Sequence, residues 1–239
     1  MPTAWPELSQ RLTAALHLST PPIAITFTAD APVGVGPFDA PMPPPAADGR
    51  TGRVPAGCVF WVHGVERTFT TVPEDHGNCS VGSYTHGMIP LEEAATHADV
   101  GALVEAGWVT PEMFPAMPAV AERPNYVTYG PLEESPIDPD VVLVRVNPKQ
   151  LMILSDALPG LRIEGKPQCH IVALAKESGE PAASVGCILS RTRTGMPSTE
   201  STCALPGPAL ADIVAKVEQT AAVDAGVSSY AATDAGRFA

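Results

Sequence analysis

Apolar positions recur along this chain with two periods, one typical of helices and one of buried strands. At residues 6–18, leucine and alanine return every three or four positions, which predicts an amphipathic helix. Residues 23–27 and 140–146 are short runs rich in isoleucine or valine, which predict buried strands. The helical period returns at residues 148–158, directly after the second of these runs. The chain is therefore predicted to alternate helices and strands.

Three further segments complete the predicted framework. A helix is expected from residue 90 to about residue 106, since Pro90 suits a first turn and two glutamates follow it closely. A C-terminal helix is expected at residues 208–223, with Gly226 beyond its end. Residues 31–55 are rich in proline, glycine and alanine, a composition that predicts an extended surface loop.

Two windows of the sequence repeat one motif. Residues 74–88 carry Cys79 nine positions before a methionine that follows glycine, and residues 184–196 carry Cys187 nine positions before the same pair. A second cysteine precedes each window, Cys58 by 21 residues before Cys79 and Cys169 by 18 residues before Cys187. A predicted strand precedes each pair of cysteines, so equivalent features recur in the same order.

This repetition predicts an α+β fold in a single domain over residues 1–239. The domain would consist of two similar α/β halves, at about residues 21–107 and 138–205, related by a pseudo-twofold axis after an internal duplication. Cysteines at equivalent positions of the two halves would then meet near that axis. These are Cys58, Cys79, Cys169 and Cys187.

The charge balance narrows the classes of function. The chain has 14 Lys and Arg residues and 26 Asp and Glu residues. It therefore lacks the clustered basic residues that proteins use to bind nucleic acids or anionic membranes. Neither a run of about 20 apolar residues nor an N-terminal signal pattern occurs, so a cytoplasmic protein is expected. In that compartment the five cysteines are expected as thiols, metal ligands or redox groups rather than disulfides.

Four converging thiolates suit a metal centre. They satisfy either an iron–sulfur cluster, such as the 4Fe-4S form, or Zn²⁺. The chain has no Cys-x-x-Cys knuckle, and single ligands from distant loops favour the cluster as first choice over zinc. The competing interpretation makes Cys58, Cys169 and Cys187 small buried hydrophobes among apolar neighbours, which is also the role expected of Cys203.

Cys79 has polar neighbours, and a third interpretation makes it a nucleophile. His76 or His86 would accept its proton, in the thiol–imidazole arrangement of cysteine catalysis. Arg191 or Arg193 would bind an anionic group of a substrate. The catalytic candidates are therefore Cys79, His76 and Arg191, although no signature of a known cysteine hydrolase is present.

Six sequence features in a fixed order resemble a known family. They are Pro-Ile-Ala-Ile at 22–25, Cys58, Glu-Asp-His-x-x-Cys-x-x-Gly at 74–82, Pro-Asp-Val-Val at 139–142, Cys169, and Gly-Cys-x-x-x-Arg at 186–191. Together they are similar to the uncharacterised ArCR family, domain of unknown function 169, over about residues 12–217. The family has no agreed activity, so the resemblance implies the extent of the domain and the grouping of the cysteines rather than a reaction.

The resulting hypothesis is a metal or iron–sulfur protein with a redox or electron-transfer role on a small molecule. Arg191 and His76 would tune the centre from beside its ligands. The expected partners are a small-molecule substrate or a redox partner protein, with a homo-oligomer as an option. The alternative is a cofactor-free thiol enzyme or small-molecule-binding protein that uses Cys79 with His76 or His86. The cofactor and metal ligands would be Cys58, Cys79, Cys169 and Cys187.

Overall fold

The structure, a computed structural model, describes residues 5–39 and 57–238. Within these ranges, seven strands form one sheet in the order β2-β3-β1-β4-β7-β6-β5. Neighbouring strands are antiparallel except for β5 and β6, which are parallel. The strands are β1 (Ile23–Thr28), β2 (Phe69–Thr71), β3 (Tyr126–Pro131), β4 (Val141–Val146), β5 (Arg162–Glu164), β6 (Ala182–Ser184) and β7 (Ser201–Pro206).

Helices cover both faces of this sheet. Short 3₁₀ turns at residues 73–76, 111–116, 132–134 and 207–209 supplement them. The α-helices are α1 (Trp5–Leu16), α2 (Gly57–His63), α3 (Ser80–Thr85), α4 (Leu91–Ala94), α5 (Ala98–Glu105), α6 (Pro148–Ala157), α7 (His170–Ser178), α8 (Ile188–Thr194) and α9 (Leu210–Ala235).

The central strand β4 shows why its sequence is apolar almost throughout. Val142 and Val144 point into a core shared with α1, α6 and α9. Val141 and Leu143 point to the opposite face, into a core shared with α2 and α7. Since successive side chains of a strand face opposite sides, a strand covered on both faces loses the polar alternation of a half-exposed one.

Several short helices pack on the face of the sheet to which Val141 and Leu143 point. There α2 contacts α3 and α8, and α3 also contacts α5 and α7. A smaller apolar cluster beyond them joins α3 and α5 through Val81 and Val100, with Phe114 from the turn at 111–116. Several short helices therefore lie next to one another on this face.

The predicted α+β class is confirmed, as a single seven-stranded sheet with helices. The predicted strands at 23–27 and 140–146 match β1 and β4 within one residue, and the helices predicted at 6–18 and 148–158 match α1 and α6 within two. The pairing of β3 with β1 and of β7 with β4 was not predicted, because it joins residues that lie 55 or more positions apart in the chain.

Two predicted helix boundaries are wrong. The helix expected at residues 90–106 is two helices, α4 and α5, because the Thr96 hydroxyl bonds the Glu93 carbonyl and His97 adopts an extended conformation before α5. The C-terminal helix does not end before Gly226 but continues to Ala235 in α9. One glycine costs a helix only about 1 kcal/mol, which the surrounding alanines offset.

The predicted loop at residues 31–55 lies outside the described residues from residue 40 onward. Its described start is anchored, because the Phe38 N–H donates to the Thr70 carbonyl at 2.8 Å and the Phe38 ring packs edge-on against Phe60 and Phe69. Across the described ranges, no helix is both long enough and apolar enough to cross a bilayer.

Candidate functional site

Four of the five cysteines line one cavity of about 190 Å³ in the described part of the chain. We call it the cysteine cavity. Its wall combines these thiols with an apolar side formed by α5, Trp108 and α8. The lining includes Cys58, Cys79, Cys169, Cys187, His86, Asp99, Gln168, Arg193, Val81, Leu103, Trp108 and Leu189.

Each of the four cysteines stands at the start of a helix. Cys58 is the second residue of α2, and Cys79, Cys169 and Cys187 immediately precede α3, α7 and α8. The first turn of a helix leaves backbone N–H groups without intrahelical partners. Cys187 shows the consequence, since its Sγ accepts the N–H of Ser190 at 3.3 Å. The folds of four separate segments therefore bring thiols and N–H donors to the same place.

The thiols of this cavity interact with one another electrostatically. Burial raises the pKa of the Cys58 thiol to about 11, and the neighbouring Cys79 adds to that rise. Burial raises the pKa of the Cys169 thiol well above its ordinary value, and the neighbouring Cys79 raises it further. Both thiols are therefore protonated at neutral pH in the metal-free protein. Their mutual effect also means that several thiolates could coexist only with a compensating positive charge.

Arg193 supplies a positive charge at this place. Its half-buried guanidinium lines the cavity beside the Cys79 side chain. Burial alone would lower the pKa of Arg193, but Cys79, and behind it Cys58 and Cys187, outweigh burial and raise that pKa. The guanidinium is therefore placed where it would stabilise thiolates once they form in the site.

Arg191, which the sequence favoured beside Cys187, is used differently. It is not among the residues that line the cysteine cavity. Its guanidinium donates to the carbonyls of Val185, Pro197 and Glu200, two of these bonds being 2.8 Å long. Arg191 therefore fastens the loop between α8 and β7 to the loop before α8, and the guanidinium beside the cysteines is that of Arg193.

His86 is the histidine that lines the cavity. Its side chain is 1% exposed, and its Nδ1 lies 3.0 Å from the carbonyl oxygen of Gly82. A carbonyl only accepts, so Nδ1 carries the proton and Nε2 carries a bare lone pair. Within the described residues this Nε2 is buried and has no hydrogen-bond partner. Burial lowers the pKa of His86 to about 4, so the ring stays neutral.

His76 lies behind the cavity wall rather than in it. Its ring packs against Phe60 at 4.6 Å between centroids and against His86 at 6.0 Å. Its Nε2 lies 3.0 Å from the Thr71 hydroxyl, whose own proton goes to the Val127 carbonyl. Nε2 therefore donates to Thr71, and burial, with a smaller effect of His86, lowers the pKa of His76. The His76 carbonyl accepts the Cys79 backbone N–H at 3.3 Å, but the His76 ring does not bond the Cys79 thiol, because its Nε2 is used on Thr71 and its Nδ1 has no hydrogen-bond partner in the described residues.

A buried carboxylate that the sequence did not indicate also lines the cavity. Asp99 is 7% exposed and accepts both the backbone N–H and the hydroxyl of Ser80, at 3.0 and 2.7 Å. His97 Nδ1 lies 2.8 Å from the same hydroxyl. Since the hydroxyl proton goes to Asp99, Nδ1 donates to it. Asp99 thus caps α3 from α5 and fixes the wall beside Cys79.

Cys203 lies in the core, as expected, since it is fully buried on the face of the sheet that α1, α6 and α9 cover.

Among the described residues, no group of three or more His, Cys, Asp or Glu side chains is arranged so that it could hold a metal ion as it stands. The four cavity sulfurs share one space without forming a closed ligand set.

Comparison with known proteins gives one family. No curated protein and no solved structure matches the chain. The sequence profile of the family described as Uncharacterised ArCR, domain of unknown function 169, matches residues 11–216. That match covers most of the 239 residues and includes all four cysteines of the cavity. The chain therefore belongs to the uncharacterised ArCR family.

Proposed function

We propose that this protein holds a cysteine-ligated metal centre, an iron–sulfur cluster in the first place and zinc in the second, in the cysteine cavity. The centre would serve redox chemistry or electron transfer with a small molecule or a partner protein. The observation that carries the proposal is that cysteines from four separate segments line one cavity. The ligands would be Cys58, Cys79, Cys169 and Cys187.

The size of the cavity favours a cluster over a single ion. Zn²⁺ draws thiolates to about 2.3 Å in a tetrahedron, which leaves no open volume between them. The cavity volume of about 190 Å³ is several times the roughly 30 Å³ that one water occupies in the liquid. A multi-atom inorganic core spreads its thiolates more widely.

The charges of the site also fit an anionic cluster. Four thiolates on a cluster leave a net negative charge, and Arg193 already contacts Cys79 from α8. The Ser190 N–H donates to Cys187 and the Ser190 side chain contacts Cys58. Hydrogen bonds to cluster sulfurs and local charge are the means by which proteins stabilise such centres and tune their potentials.

We also infer an internal duplication, in which β1, β3 and β2 correspond to β4, β7 and β6. The sheet order supports this, because β1 and β4 are antiparallel neighbours at its centre and each is followed outward by its counterpart strands. Cys58 and Cys169 then stand at the starts of equivalent helices, as do Cys79 and Cys187. A pseudo-twofold axis of this kind is a simple origin for a four-cysteine site.

Anaerobic purification tests the metal centre directly. Iron, acid-labile sulfide and zinc are quantified per chain, and the visible spectrum is recorded for cysteinate-to-iron charge transfer. Serine is then placed singly at each of the four cavity cysteines. Cys203→Ala is the matched control, since Cys203 is a buried cysteine on the other face of the sheet.

The expected result is an iron and sulfide content that falls in at least three of the four serine variants and stays at the wild-type level in Cys203→Ala. Zinc at one ion per chain, lost in the same variants, selects the second metal. Wild-type protein that takes up neither iron nor zinc after anaerobic reconstitution ends the proposal.

A second candidate is a cofactor-free thiol enzyme or small-molecule-binding protein, and the Arg193–Cys79 contact favours it. A guanidinium beside a thiol offers a place for an anionic group of a substrate. In this candidate Cys79 is the nucleophile and reacts with iodoacetamide before Cys58 and Cys169, since burial raises the pKa of those two thiols. One fast-alkylating thiol in a colourless, metal-free protein, identified by peptide mapping as Cys79, supports this alternative. Equal, slow labelling of all four cavity thiols contradicts it.

A further inference from the structure

His86 belongs to the wall of the cysteine cavity and has an unused ring nitrogen. The ring lines the cavity, is 1% exposed, and its Nε2 has no hydrogen-bond partner in the described residues. Leaving a buried acceptor without a donor is unfavourable, because the nitrogen gives up its hydrogen bond to water and gains none in return. A residue in the wall of the four-cysteine cavity therefore keeps a bare lone pair, which a bound metal could satisfy.

The orientation of the ring is the one that metal-binding histidines adopt. Such residues almost always donate the proton of the other ring nitrogen to a carbonyl or carboxylate, which fixes the tautomer and aims the lone pair. Here Nδ1–H donates to the Gly82 carbonyl at 3.0 Å, so Nε2 is the free donor atom. The Gly82 carbonyl belongs to α3, the helix that begins next to Cys79.

We propose that Nε2 of His86 takes one ligand position of the same centre in place of one of the four cysteine thiolates, so that the metal site has mixed sulfur and nitrogen ligation. This inference rests on the proposed metal centre. A neutral imidazole in place of a thiolate removes one negative charge, and in Rieske clusters such replacement raises the reduction potential. The centre would therefore be a more readily reduced one than an all-cysteine cluster.

His76 provides the internal comparison. It is equally buried at 1% exposure, its Nδ1 also has no hydrogen-bond partner in the described residues, and its ring lies 6.0 Å from that of His86. It does not line the cavity, because Gly57 stands between. A Cβ on Gly57 would lie 3.2 Å from His76 Nδ1. Substitution of His76 therefore tests for general damage to the core without removing the proposed ligand.

The experiment measures nitrogen coupling to the bound metal in the full-length protein. The protein is prepared with ¹⁵N-histidine or at natural abundance, reconstituted anaerobically with ferrous iron and sulfide, and reduced to a paramagnetic state. Where zinc is the metal found, cobalt(II) replaces it as the paramagnetic probe. Pulsed electron paramagnetic resonance then reports whether a histidine nitrogen is bonded to the metal. His86→Gln, His86→Gly and His76→Gln are compared with the wild type.

The expected result is a strong nitrogen coupling that changes with the ¹⁵N label, persists in His76→Gln and is lost in His86→Gln, with metal affinity lowered about tenfold or more. Added imidazole should restore the coupling in His86→Gly. A metal-loaded wild type with no strong nitrogen coupling overturns the inference and leaves the metal centre standing. So does a coupling that survives in His86→Gln. A wild type that binds no metal overturns both, and elemental analysis separates that case.

Discussion

The buried neutral state of His86 predicts an acid-dependent loss of stability in the metal-free protein. The unfolded chain protonates this imidazole near pH 6.5, whereas the folded chain does so only at about pH 4. Between these values the unfolded state binds more protons, so the free energy of unfolding falls as the pH falls. From pH 7 to pH 4.5 the loss from His86 is about 2.5 kcal/mol. His76, whose pKa is lowered in the same direction, adds to the total.

Urea unfolding of the metal-free wild type and of His86→Gln, at pH 7 and at pH 4.5, measures this loss. The variant should be less stable at pH 7, but its loss between the two pH values should be smaller by about 2.5 kcal/mol. His17→Asn is the control, because His17 is exposed and its φ of 52° suits asparagine. Parallel losses in the wild type and in His86→Gln would show that the folded protein protonates His86 as easily as the unfolded chain does. The conclusion that burial keeps the His86 ring neutral would then fail.

The two arginines of α8 give a matched pair of predictions. Arg191→Lys loses the fork that binds the carbonyls of Val185, Pro197 and Glu200, and should lower the free energy of unfolding by about 1 to 2 kcal/mol while the metal content per folded chain stays unchanged. Arg193→Gln should instead lower the metal retained in a dialysis assay and leave the unfolding midpoint almost unchanged. Equal metal content in the two variants would contradict this prediction. Gly207→Ala should cost about 2 to 3 kcal/mol, because a Cβ there would lie 1.8 Å from the Pro139 carbonyl oxygen, and an unchanged urea midpoint would show that this clash relaxes freely.

Local pattern was sufficient for the elements that depend on their own residues. The buried strand β4 is nearly all valine and leucine because both of its faces are covered, and its composition shows this directly. The start of α6 is equally local, since Asn147 and Gln150 cap each other's backbone and Pro148 fits the first turn. Gly226 lies inside α9 and does not end it, because a helix tolerates one glycine when the neighbouring residues favour the helix.

The sequence by itself determined which residue types carry the chemistry and how they repeat, namely four cysteines in two similarly spaced pairs, with histidines and arginines close by. Only the tertiary structure decided which neighbours face them. Arg191 and Arg193 are two residues apart on α8, which places their side chains about 200° apart around the helix, so only one of them can face the cavity. His76 and His86 both flank Cys79 in the sequence, but the packing of α2 against the sheet leaves His86 in the cavity wall and His76 behind it. Which side chain faces the cavity depends on contacts between segments that are far apart in the chain. The periodicity of a single segment carries no information about those contacts.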